Sequence, residues 1–131
     1  MKVLKNLFVI AFTLATLSTI NLTTAAGALN ADSIVGKWKD TEGTAVVRIE
    51  SKGGYYEGVV VEDAENPGVV STAVFKNLVY DSGEGVWKGT VYSIKKKKDF
   101  DVKIQMADSG NFTMTVKAGL GSKKLDWDRV Q

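Results

Sequence analysis

The chain of 131 residues contains no cysteine, no histidine and a single proline. Without cysteine no disulfide can staple a small fold, so packing alone must hold it. Lipid attachment at a leader cleavage site is excluded as well, because it requires a cysteine. Zinc and copper lose their commonest ligands, and Ser-His-Asp or Cys-His nucleophilic catalysis is impossible. Any enzyme would have to work with Asp, Glu, Lys or Tyr, and no converging pair of these stands out. The residues read as those of a non-catalytic protein with no metal and no cofactor.

Long apolar runs are also scarce. The one near the N-terminus, Leu7 to Leu17, follows Lys2 and Lys5 and precedes the small residues Thr23-Thr24-Ala25-Ala26-Gly27-Ala28. A basic start, an apolar stretch of about 7–15 residues and small residues at the cut are the layout of a secretory signal peptide. Cleavage fits after Ala26 or after Ala28. A membrane anchor needs about 20 apolar residues, and here Thr13, Thr16, Ser18, Thr19 and Asn21 interrupt the run. Residues 1–28 are therefore expected to direct export, to the periplasm or beyond. Residues 29–131 should form one small domain, a monomer with no transmembrane segment. Of the 17 basic residues, Lys2 and Lys5 leave with the leader while all 15 acidic residues stay, so the exported domain is electrically balanced. That balance argues against a nucleic-acid partner, which would call for a basic face.

What the domain does contain is alternation. Phe100, Val102, Ile104 and Met106 face one way, with Asp101, Lys103 and Gln105 facing the other. After Asp108-Ser109-Gly110 the pattern resumes with Phe112, Met114, Val116 and Ala118. Two such runs joined by a short glycine-containing turn form a hairpin with one buried face. Similar segments run over Ile34–Lys39, Ala45–Ser51, Tyr55–Val61, Ala73–Tyr80, Val86–Ile94 and Lys123–Val130. About eight short strands separated by tight turns predict an all-β fold, a small up-and-down antiparallel barrel. Closure removes the exposed sheet edges. No helical period persists in the domain, so any helix is short and near its N-terminus.

In such a barrel the first and last strands are neighbours. Trp38 in the first can then meet Trp127 and Arg129 in the last, with Gly36 allowing close approach. A guanidinium over the Trp38 ring would plug one end of the barrel and tie the chain ends together.

Gly36-Lys37-Trp38 and the closing Arg129 resemble the corresponding elements of lipocalin-like (calycin) barrels. Further segments follow in order: Val46-Val47-Arg48-Ile49, Gly58-Val59-Val60, Trp87-Lys88-Gly89 with Val91-Tyr92, Gly119-Leu120-Gly121, and Trp127-Asp128-Arg129-Val130. Together they resemble the exported bacterial domain-of-unknown-function 2147 family. The resemblance implies a small secreted lipocalin-like barrel and no particular reaction. Many members carry two cysteines where this chain has Ser51-Lys52 and Tyr55-Tyr56.

Two functions from different classes are compatible with these residues. The first is a binding module for a small apolar or amphipathic envelope molecule, held by the inward residues Val102, Ile104, Met114 and Val116, since Met adapts to variable ligands. The second is a filled barrel, packed with bulky inward side chains such as Phe100, Phe112 and Trp127, that acts through surface contacts in the envelope. Lys95-Lys96-Lys97-Lys98 would supply such a contact, or simply keep a hairpin solvated. The acidic stretch Glu62-Asp63-Ala64-Glu65-Asn66 lacks the spacing of a calcium loop and reads as a flap over one barrel mouth. Tyr55 and Tyr56 must point to opposite faces. The outer one, beside Trp87, would offer a stacking platform.

Overall fold

The computed structural model describes residues 29–131; the expected export signal, residues 1–28, lies outside the described residues. Eight strands, β1 (Gly36–Asp40), β2 (Ala45–Ser51), β3 (Tyr56–Asp63), β4 (Ala73–Asp81), β5 (Val86–Ser93), β6 (Lys98–Asp108), β7 (Asn111–Ala118) and β8 (Gly121–Val130), follow one another around a closed antiparallel barrel. Closure is made by β1 and β8, with Trp38 opposite Arg129 and Asp40 opposite Trp127. The fold expected from alternation is the fold observed. In β6, Val102, Ile104 and Met106 are buried while their alternates are exposed, as a pleated strand with one dry face requires. Among the described residues no helix is long and apolar enough to cross a membrane.

Strand ends depart from the sequence expectation where hydrogen bonding overrides apolar pattern. β1 begins at Gly36 because Ile34 belongs to a 3₁₀ turn, Ala31–Ile34. That turn is held by a reciprocal cap: the Asp32 amide donates to Asn30 Oδ1 (2.9 Å) and the Asn30 amide donates to Ser33 Oγ (2.8 Å). Ser and Asn side chains that satisfy otherwise unpaired amides favour such starts. β8 begins earlier than its apolar residues do, because the β7–β8 ladder continues to Ala118 opposite Gly121 around a two-residue turn.

Up-and-down order sorts the connections into two ends. Loops 52–55, 82–85 and 109–110 share one end with the 3₁₀ turn and the C-terminus; loops 41–44, 64–72, 94–97 and 119–120 share the other. The first end is plugged. Ile34 is fully buried beneath it, the Trp38 indole donates to the Ile34 carbonyl (2.8 Å), and the Trp87 indole donates to the Ala31 carbonyl (3.0 Å). Deeper in the barrel Phe112 packs edge-on to Trp38 (4.7 Å) and stacks on Trp127 (5.8 Å), and Phe75 meets Trp127 edge-on (5.3 Å). Fully burying a large apolar side chain contributes about 1.5–3 kcal/mol, so this aromatic stack is a main source of stability in a fold without disulfides.

The wall bends at a bulge in β4, where the β4–β5 register shifts between Lys76 and Val79. Asn77 there adopts φ 52°, and the carbonyls of Lys76 and Asn77 press against β5. A Cβ on Gly89 would stand 2.8 and 2.7 Å from those two oxygens. Only glycine admits that approach.

Candidate binding cavity

The end opposite the plug is open. A cavity of about 410 Å³ enters the barrel there, lined mostly by apolar side chains of β2 to β8. Phe75 and Trp127, the upper members of the aromatic stack, form part of its lining, with Val47, Val60, Val91, Met114, Val116 and Leu125 around them. Its size lies near the lower end of the ~300–1,000 Å³ usual for small-molecule sites. The interior is thus filled at one end and hollow at the other, and the bulky inward residues do not fill the whole barrel.

The four inward residues singled out from the sequence form two facing pairs on β6 and β7, Val102 opposite Val116 and Ile104 opposite Met114, and only one member of each pair reaches the cavity. Met114 and Val116 line the cavity, whereas Val102 and Ile104 do not. Ile104 is completely buried, paired with Trp87 on one side and Met114 on the other. Alternation reports which face a residue occupies and does not say which inward side chains border the hollow.

The four closure residues also divide. Arg129 lies over Trp38, its guanidinium carbon 4.2 Å from the ring centroid. It donates from Nε to the Ser109 carbonyl (2.6 Å), from Nη1 to Val35 (3.0 Å) and from Nη2 to Ser33 (2.7 Å). Gly36 has φ +140°, and a Cβ there would sit 2.5 Å from Arg129 Nη1; the guanidinium occupies the space a side chain would need. Trp127 takes no part in this plug. It lies further inside, and its Nε1 is the one buried side-chain polar atom without a hydrogen-bond partner among the described residues.

The lysine run likewise splits. The β5–β6 turn is closed by the Lys97 amide donating to the Ser93 carbonyl (2.7 Å) and the Lys96 amide donating to Ser93 Oγ (3.1 Å), with Lys97 at φ 55°. This geometry places Lys95 and Lys96 on the cavity lining and leaves Lys97 and Lys98 off it. Lys96 Nζ stands 5.7 Å from the ring centroid of Phe100, itself a wall residue. Lys123 of β8 joins the lining from the other side, as does one acid, Asp40. None of Lys95, Lys96 or Lys123 has a carboxylate within ion-pair distance among the described residues; the paired lysines are Lys52, Lys76, Lys88 and Lys103.

Loop 64–72 contributes no residue to the cavity lining. Asp63 anchors it, accepting from Thr44 Oγ1 (2.6 Å) and from the amides of Glu65 and Asn66 (3.1 Å each). The Thr44 hydrogen bond and these amides hold the Asp63 carboxyl below its ordinary pKa, the signature of a turn-capping carboxylate. The loop is tied down, and the flap reading is set aside. The aromatic platform is set aside too. Tyr55 is exposed and Tyr56 buried, but Trp87 is only 1% exposed and packs against Tyr80 (4.7 Å). The Tyr56 hydroxyl donates to Asp32 (2.6 Å); burial, with that carboxylate's hydrogen bond and charge, pushes its pKa up to about 12.

With this geometry in place, comparison with known proteins is informative. The family described as "Uncharacterized protein conserved in bacteria (DUF2147)" matches residues 36–129, and the chain belongs to it. The match runs from Gly36 to Arg129, the two residues that meet in the plug. Among solved structures, protein HP1028 from Helicobacter pylori, described as belonging to the lipocalin family, is similar with a TM-score of 0.60 at 17% identity, over 75% of this chain and 83% of that one. That likeness establishes a shared lipocalin-like barrel. No curated protein matches the chain.

Proposed function

We propose that this DUF2147 barrel is a non-catalytic binding module, exported to the periplasm or beyond, that holds a small apolar or amphipathic envelope molecule in its open-end cavity. The observation that carries the reading is the cavity itself, about 410 Å³ of mostly apolar lining inside a closed wall. A barrel stabilised only for surface contact gains nothing from such a hollow, because an unfilled interior forfeits packing.

Native mass spectrometry of the protein purified from its own compartment tests this. The expected spectrum shows residues 27–131 or 29–131 carrying extra mass that vanishes on denaturation. Met114→Trp, which places an indole in the cavity, should fold and carry none. A wild-type protein that is always bare, and that takes up no apolar probe added in solution, would overturn the reading in favour of a barrel acting by surface contact.

A further inference from the structure

We infer that the molecule held in the cavity is an anionic amphiphile, with a single apolar chain inside the barrel and a carboxylate or similar head at Lys95, Lys96 and Lys123. The inference rests on the binding-module reading and adds the ligand's charge and orientation. Three ammonium groups and one carboxylate, Asp40, belong to the lining, while the remainder is largely aliphatic and aromatic. Glu42, Glu62 and Glu65 stand on or beside the rim loops without lining the cavity.

Besides their place on the cavity lining, the lysines at the mouth have two properties that suit an anion. They have no acidic partner among the described residues, so an incoming anion displaces no existing ion pair. The turn that carries two of them is fixed by the Ser93 hydrogen bonds, and the Lys96 side chain rests over Phe100. Ordering a lysine before binding lowers the entropy lost on contact. The opposite end of the cavity offers no charge to receive a head group, since Phe75 and Trp127 lie there. A charged head is therefore excluded from the depth of the barrel, where burying it unpaired is prohibitive. It is accepted at the mouth.

The test compares three ten-carbon probes of different head: decanoate, 1-decanol and decyltrimethylammonium, each titrated calorimetrically into the wild-type domain below its aggregation limit. Decanoate is expected to bind about tenfold more tightly than decanol, and the cation most weakly. The decanoate advantage should shrink as salt rises from about 0.01 M to 1 M, where the screening length falls from ~30 Å to ~3 Å. The triple variant Lys95→Ser, Lys96→Ser, Lys123→Ser should bind decanol as before and lose the tenfold preference. A control of equal charge loss, Lys37→Ser, Lys97→Ser, Lys117→Ser, should keep it. Equal affinity for decanoate and decanol, or a preference that survives the mouth variant, overturns the anionic head while the cavity reading stands. Failure of all three probes to bind overturns both.

Discussion

Arg129 is the residue on which the plug depends most, and its removal has a calculable cost. The guanidinium donates to three carbonyls, of Ser109, Val35 and Ser33, and covers the Trp38 ring at 4.2 Å. The Ser33 bond is partly buried and, with a charged donor, contributes about 1.5 kcal/mol. The other two are exposed, and water replaces much of them, leaving ~0.5 kcal/mol each. The cation–π contact adds about 1 kcal/mol. Arg129→Ala should therefore lose about 3.5 kcal/mol, a large part of the ~5–15 kcal/mol typical of a domain. In urea, with a slope of ~1.5 kcal/mol/M, the midpoint should fall by about 2 M. Arg129→Lys keeps the charge over the ring but cannot reproduce the planar fork, so it should fall between wild type and Arg129→Ala. A double-mutant cycle with Trp38→Leu should return a coupling of ~1 kcal/mol for the stacked pair. A loss under about 1 kcal/mol for Arg129→Ala, or a lysine variant as stable as wild type, would refute the account, because the stability would then lie in the aromatic stack alone.

Three further outcomes are expected. Gly89→Ala should cost about 2 kcal/mol in the same titration, since the Cβ would meet the backbone carbonyls of Lys76 and Asn77 at 2.8 and 2.7 Å; a wild-type midpoint would mean that the bulge relaxes freely. Trp127→Phe should stay within ~1 kcal/mol of wild type, because relieving an unpaired buried N–H offsets the lost packing, whereas Trp38→Phe and Trp87→Phe each break an indole-to-carbonyl bond and should cost ~2 kcal/mol or more. The Tyr56 hydroxyl keeps its proton to about pH 12 in the fold and only to about 10 in the unfolded chain. Its stabilisation is full below pH 10 and is lost as pH rises from 10 through 12, by about 2–3 kcal/mol. Tyr56→Phe should remove that part of the decline, and an unchanged slope in the variant would argue against a sheltered Tyr56–Asp32 bond.

The barrel was legible in the sequence because each strand carries its own signal. Val102, Ile104 and Met106 alternate with charged or polar neighbours, and Asp108-Ser109-Gly110 marks a turn whatever the rest of the chain does. The pairing of Trp38 with Arg129 was legible for a topological reason, since closure makes the first and last strands neighbours. A short helix near the domain's N-terminus was legible too, whereas its lying across the plugged end was not. Its start depends on Asn30 and Ser33 satisfying each other's backbone, and an Asn-x-x-Ser pattern also suits an ordinary turn. The bulge at Asn77 was equally silent, because it is read only when Gly89 on the next strand is known to face it.

The cavity mouth illustrates how far a topology can carry an argument once it is taken literally. From the sequence, the inward set around Met114 and the run Lys95–Lys98 support rival functions, one internal and one on the surface. In an up-and-down barrel, however, every second connection lies at the same end. The turn after β5 therefore shares a mouth with the turn after β7, and Lys95, Lys96 and Lys123 converge on the rim above Met114 and Val116. Trp38 belongs to the plug and Ile104 to the packed wall, where packing decides the residue, while Trp127 sits between the aromatic stack and the cavity. Met114, Val116, Tyr92 and Phe100 lie near the mouth, where a ligand could decide it. Charge at the rim and apolar surface below it are the two parts of the proposed site, and the proposed occupant matches both, its apolar body inside the barrel and its negative end at the mouth.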